Sequence, residues 1–254
     1  MILKSLLLAA LLLMSNMGCG GDVPILMYHS VGARSDPLGV SPVQLGEHLD
    51  FLVSAGFHTV TLGELLDDEE GKRSLPSSPV VLTFDDGYDN AFSEALPLLA
   101  ARGQRATFFV VSGNVASEPR LRVHDAAGNG YLLWDEVRAL RDAGMEIGSH
   151  TVHHPALPRL GERPVRFEVE QSKRDLEAGL GAPVDFFAYP FTQSLPWVRD
   201  RVLKAGYRGA VSGAHGGTFD RYHLPRLTIH RYTSADDLRA MLGQGWASAS
   251  SQGN

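Results

Sequence analysis

Short apolar runs, each closed by a polar or turn-forming residue, recur along the chain and alternate with stretches whose apolar positions follow a helical period. Residues 24–29 (Pro-Ile-Leu-Met-Tyr-His) read as a buried strand with a polar end. Ser41 then caps a helix with Pro42 at its first position, and Leu45, Leu49, Leu52 and Val53 form its apolar stripe up to Gly56. Residues 58–61 are a short strand, and Thr61 caps a helix over 62–66. A charged, Pro- and Ser-rich surface loop over 67–78 leads into the strand 80–84. A helix over 91–102 carries Leu96, Leu98, Leu99 and Ala100 and stops at Gly103. Beyond it come a strand over 106–111, a long loop over 112–131, a helix over 134–142 ended by Gly144, and a strand over 146–149. The helix 166–180 has the stripe Phe167, Val169, Leu176 and Leu180. Strands over 186–189, 209–211 and 227–229, a helix over 197–205 and a last helix capped by Ser234 complete the pattern.

This alternation predicts βα units around a parallel sheet. The fold class is α/β, an irregular (β/α) barrel with about seven or eight parallel strands. The polar clusters fall at the C-terminal ends of the strands, where such barrels build their active sites. With 254 residues and 44% hydrophobic composition, one large core is the expectation. The formal charge is -6; without residues 1–18, whose only charge is Lys4, 29 acids face 22 bases and the net is -7. That balance, with no basic run, argues against a nucleic-acid surface.

The N-terminal segment stands apart from the fold. Lys4 precedes the apolar run 6–13, which is too short to span a bilayer but fits the core of a signal peptide. Cys19, the only cysteine, sits where a lipoprotein signal places the residue that becomes the lipidated N-terminus. No internal disulfide can form. The expected organisation is a lipoprotein-type signal peptide at 1–18, a tether at 19–23, a catalytic domain at 24–246 and a Ser/Gly-rich frayed tail at 247–254. Such a chain is exported and held on the periplasmic or cell-surface side by a lipid anchor, as a monomer.

Two polar clusters carry candidate chemistry. Asp85 and Asp86 close the strand 80–84, and His150 and His154 follow the strand 146–149. Adjacent carboxylates repel in a buried site unless a cation shares the space. Alone, Asp-Asp-Gly reads first as a turn, and the two histidines read as well as surface residues as they do as ligands. Together, two imidazoles and one carboxylate make a set that suits zinc and other first-row divalent ions. One carboxylate spent on the ion leaves its neighbour free to act as a base. His153 is the bystander, since three consecutive ligands would strain the geometry.

At this point the chain resembles the polysaccharide deacetylases, the NodB-homology group of carbohydrate esterases. Their Thr-Phe-Asp-Asp-Gly motif is matched by Thr83 to Gly87, and their His-Ser/Thr-x-x-His motif by His150 to His154; the resemblance covers roughly residues 24–242. It implies that Asp85 is the general base, that Asp86, His150 and His154 bind the metal, and that the metal is Zn2+, with Co2+, Ni2+ or Fe2+ as alternatives. The family's third motif, Arg-x-Pro-Tyr/Phe, appears as Ala188-Tyr189-Pro190-Phe191, so the arginine that holds the base is missing. Phe191 can still supply its N–H to an oxyanion. Arg226 is the candidate replacement support for Asp85, a surface ion pair being its ordinary alternative.

For the catalytic acid, His29 and His230 each follow an apolar strand. The opening Pro-Ile-Leu-Met-Tyr-His resembles the circularly permuted branch that deacetylates poly-N-acetylglucosamine, and this favours His29. Tyr88, Tyr189, Pro190 and Phe191 are candidate substrate-wall residues, with Trp197 a further aromatic; Trp134, opening a helix, is assigned to the core. The activity implied is metal-dependent removal of N-acetyl groups from a bacterial surface or extracellular β-1,4- or β-1,6-linked N-acetylglucosamine polymer. An O-acetyl xylan or glycan esterase of the same fold, and a non-catalytic lipid-anchored glycan-binding protein, are the alternatives.

Overall fold

The computed structural model describes residues 23–32, 36–213 and 220–244. The expected leader at 1–18, Cys19 and the tail at 247–254 lie outside the described residues. Among the described residues, no helix is long and apolar enough to cross a membrane.

Strand and helix alternate as the pattern predicts. The elements are β1 (Ile25–Tyr28), α1 (Pro42–Ser54), β2 (His58–Val60), α2 (Leu62–Glu69), β3 (Pro79–Phe84), α3 (Leu96–Ala100), β4 (Thr107–Val110), α4 (Trp134–Asp142), β5 (Glu146–Ser149), α5 (Glu162–Leu180), β6 (Phe186–Ala188), α6 (Pro196–Lys204), β7 (Gly209–Val211), β8 (Leu227–Thr228) and α7 (Ala235–Gln244). Every ladder is parallel, and the order is β7-β6-β5-β4-β3-β1-β8. β2 pairs with the first half of β3, through Val60 and Val81, and β4 takes over at Thr83 and Phe84. The first strand in the chain therefore lies deep in the sheet, between β3 and β8.

The sheet curls until its edges nearly meet. Leu224, just before β8, forms a parallel bridge with Val211 of β7, and their neighbours Ser212 and Ala210 exchange backbone hydrogen bonds with it. The short span from Leu224 to Leu227 thus crosses from one edge of the sheet to the other, and Arg226 sits inside it.

Alternation along the strands divides the core into two layers. Ile25, Val81, Phe109, Phe186, Ala188 and Val211 fill the inside of the curl. Tyr28, Phe84, Phe108, Phe187 and Tyr189 face the helices. In the outer layer Tyr28, Phe84 and Phe108, in register on adjacent strands, stack with ring centroids 5.1 and 4.9 Å apart. Such pairs contribute about 0.5–1.5 kcal/mol each beyond their burial.

Local signals act as read. Ser41 accepts from Gln44 N at 3.1 Å, and Thr61 and Glu64 form a reciprocal capping box. Several details differ from expectation. The helix expected over 91–102 opens as a π-helical turn, Ala91–Ala95, because Pro97 has no N–H to continue an α pattern, and its α part ends at Ala100. Val53 and Phe167, assigned to apolar stripes, are 52% and 49% exposed. The last strand stops at Thr228, one residue early.

Candidate active site

The C-terminal ends of β1, β3, β5, β6 and β8 surround a cavity of about 380 Å³. Met27, His29, Leu38, Asp85, Asp86, His150, His154, Phe191, Thr192 and Thr228 line it. Register explains the set. Asp85 N donates to Tyr28 O and His150 N to Val110 O, so these residues extend their strands by one step and share the rim. Counting back by two, Met27 and Thr83 lie on the same inner face as His29 and Asp85, and they pair with each other.

Asp86, His150 and His154 converge. His150 Nε2 lies 3.5 Å and His154 Nε2 3.3 Å from Asp86 Oδ1, and the two Nε2 atoms are 3.1 Å apart. His150 is fixed on its far side by Nδ1 donating to Ala188 O at 2.8 Å, which leaves the lone pair on Nε2 in the neutral ring. Two imidazole nitrogens and one carboxylate oxygen facing one point fit a divalent ion. Burial would raise the Asp86 carboxyl, but the hydrogen bond and charge of His150 outweigh it and hold the group below its usual range. Burial and the neighbouring His150 push His154 down to about 4, so its imidazole is neutral near pH 7 and its lone pair available.

Backbone strain concentrates here. Asp86, Thr151, His154, Phe191 and Thr192 all have left-handed φ values, between 55° and 74°; Ser78 is the other non-glycine example among the described residues. Such conformations cost roughly 1–3 kcal/mol each and persist where the surroundings impose them. Gly87 follows Asp86 with φ 72°, and a Cβ there would lie 3.3 Å from the Val110 backbone.

Asp85 is treated differently from its neighbour. Arg226 Nη1 donates to Oδ1 at 2.7 Å and Nη2 to Oδ2 at 2.6 Å, a fork in which both partners are buried. Arg226 also donates to Ser212 O and Thr83 Oγ1, both at 3.0 Å, and its guanidinium lies over the Phe109 ring. Burial opposes ionisation of Asp85, yet Arg226 and His150 together keep its carboxyl below the ordinary value. The surface ion pair that was Arg226's alternative is not what the structure contains.

The remaining expected residues divide. His29 lines the cavity, and its Nδ1 is buried without a hydrogen-bond partner among the described residues. His230 is exposed and is not in the cavity lining. Phe191 is 58% exposed, at the cavity mouth, with its ring against His154. Tyr189 and Pro190 do not reach the wall. Tyr189 continues the alternation of Phe187, so its ring packs in the outer layer and its hydroxyl donates to Tyr222 O. Tyr88 stacks on Tyr131, with centroids 5.2 Å apart, beside the cavity rather than in its lining. Trp134 packs on the core against Gly179, as expected, and Trp197 is half-buried against the same core. Met27, Leu38, Thr192 and Thr228 were not anticipated, although period-two counting from His29 and Arg226 points to Met27 and Thr228.

A family model described as polysaccharide deacetylase matches residues 72–210, more than half of the chain. The chain belongs to the polysaccharide deacetylase family. As a member it is a hydrolase, and relatives agree. A putative polysaccharide deacetylase of Bacillus subtilis, YxkH, is 26% identical over 212 residues, 82% of this chain and 71% of its own. The poly-β-1,6-N-acetyl-D-glucosamine N-deacetylase of Escherichia coli K12 is 27% identical over 119 residues, 45% of this chain but only 18% of its own. Among solved structures, the Streptococcus pyogenes deacetylase PplD has a TM-score of 0.76 at 23% identity, covering 87% of this chain and 97% of its own; that likeness shows the fold of this polysaccharide deacetylase.

Proposed function

We propose that this polysaccharide deacetylase is a metal-dependent N-deacetylase of an N-acetylglucosamine polymer outside the cytoplasm. The observation that carries the reading is the unlike fate of two adjacent carboxylates: Asp86 faces two imidazoles, while Asp85, one residue away, is gripped by Arg226 in the same cavity. A divalent ion on Asp86, His150 and His154, Zn2+ by its mixed nitrogen and oxygen donors, would activate water and polarise the acetamide carbonyl.

The chain's own residues carry the rest. Asp85, kept ionised by Arg226, accepts the proton of the attacking water; each carboxylate oxygen still has a lone pair beyond its bond to the guanidinium. Phe191, at the mouth, directs its N–H to the developing oxyanion. His29, directly after β1, lines the same cavity and protonates the leaving amine. Met27, Leu38 and Thr228 bound the space in which the acetyl group fits.

A β-1,6-linked substrate is favoured by similarity to the Escherichia coli enzyme, whose name specifies that polymer. Relatives named for peptidoglycan support action at or beyond the cell surface. Export and a lipid anchor on Cys19 belong to the same proposal and rest on the sequence alone.

Acetate release from defined β-1,6- and β-1,4-linked N-acetylglucosamine oligomers and from acetylated xylan tests it. Release from the N-acetylated oligomers is expected. Release from acetyl xylan alone would make the protein an O-acetyl esterase. Release from none would leave glycan binding without turnover.

A further inference from the structure

His154 owes its position to the turn that carries it. His150 is placed by the β5 register and by Ala188 O, but Thr151–His154 has left the sheet and contains two residues with left-handed φ, at 68° and 57°. Such a turn keeps its shape only if its peptide groups are held. On one side, Ser112 N and Gly113 N donate to the carbonyls of Thr151 and Val152, at 3.1 and 3.0 Å. The approach is so close that a Cβ on Gly113 would lie 2.5 Å from Val152 O. Within the turn, Thr151 Oγ1 accepts from His154 N at 2.9 Å.

The other side is held by one side chain, Glu168, from the second turn of α5. Its carboxylate is buried, and Oε2 accepts from both Val152 N and His153 N at 2.9 Å. Oε1 lies 2.7 Å from His153 Nδ1, and the His153 ring in turn stacks on Phe167, with centroids 6.3 Å apart. Two successive amides aimed at one anion form a concavity that a carboxylate fills well. Phe167, half exposed, stacks on His153 instead of joining the core.

We infer that Glu168 is a positioning residue for the donor cluster: its carboxylate locks the strained Thr151–His154 turn and so aims His154 Nε2 at Asp86 and His150. This rests on the reading of Asp86, His150 and His154 as a metal site. Glu168 touches none of the three donor atoms; it acts through the backbone of Val152 and His153. His153 shields the carboxylate and is secondary, because the two amide bonds remain without it.

The test is Zn2+ affinity, measured on the whole protein by competition with a fluorescent chelator and with no substrate present. Glu168→Ala is expected to weaken Zn2+ binding about 10- to 100-fold, as loss of an outer-shell partner does elsewhere. Glu168→Gln keeps an oxygen for the two amides and is expected to stay close to wild type, as is His153→Ala. A folded Glu168→Ala with lower thermal stability but unchanged Zn2+ affinity would show a merely structural role and overturn the inference. If Glu168→Ala does not fold, Glu168→Asp decides: its carboxylate is one methylene short, so weakened Zn2+ binding is expected and wild-type binding overturns the inference. Wild-type protein that binds Zn2+ but releases no acetate would sink the proposed function and leave this inference standing. Wild-type protein that binds no Zn2+ would overturn both.

Discussion

Arg226 and Asp85 are 141 positions apart in the chain and joined by two hydrogen bonds of 2.7 and 2.6 Å inside the curl of the sheet. The arginine comes from the span that crosses between the β7 and β8 edges, which is why Ala188, where the family motif carries arginine, can be small here. The charge is supplied from that crossing span to the same carboxylate.

Arg226→Ala strands a buried carboxylate and is expected to cost roughly 3–5 kcal/mol of stability, read by denaturant unfolding. Arg226→Lys keeps a charge but not the fork. Because Arg226 helps hold the Asp85 carboxyl low, weakening the pair raises it, and the ionised form is then lost at a higher pH on acidification. The acid limb of the pH–rate profile for acetate release is expected to move upward in Arg226→Lys. An unmoved limb would mean that Asp85 is not the group being titrated.

His29→Ala is expected to lower kcat on N-acetyl substrates by about 10²–10³-fold, within the range for a positioned general acid. On O-acetyl substrates the loss is expected to be smaller, since an alkoxide leaves more readily than an amide ion. Equal losses on both would remove His29 from the acid role. His230→Ala, outside the cavity, is expected to leave both rates unchanged.

Glu146, at the opposite end of β5, caps the N-terminus of α2 through Leu62 N and Gly63 N and accepts from Thr107 Oγ1 at 2.7 Å. Burial pushes its carboxyl up to about 7, although these donors favour the charged form. A raised carboxyl binds its proton more tightly in the folded than in the unfolded chain. Its stabilising contribution is therefore complete below about pH 4.5 and is lost as pH rises toward 7. Thermal unfolding across pH 4.5–8 is expected to show this decline in the wild type and a flatter dependence in Glu146→Gln. Equal slopes would contradict the assignment.

The order of the elements and the convergence of Asp86, His150 and His154 were legible because both are written locally: strands announce themselves by apolar runs, and the motifs end them. Arg226 was named from the sequence as the candidate support for Asp85, and the fork joins the two, but how it gets there rests on Leu224 bridging to β7, a contact between distant segments that no local pattern encodes. Glu168 was invisible because its contact with the Thr151–His154 turn is likewise between distant segments, and it is one of several acids on an amphipathic helix. Tyr189 was different. Strict alternation with Phe187 already assigned it to the helix-facing layer, and the motif drew attention away from the period. Phe167 left its stripe and stacks on His153 outside the core.

The most direct test is acetate release from a β-1,6-linked N-acetylglucosamine oligomer by protein stripped with a chelator and then reloaded with Zn2+, alongside Asp85→Asn carrying the same ion. Release is expected to vanish on stripping and return on reloading, while Asp85→Asn retains Zn2+ and releases about 10²–10⁴-fold less acetate. Undiminished release by the stripped protein, or loss of Zn2+ from Asp85→Asn, would contradict the roles assigned to the two aspartates.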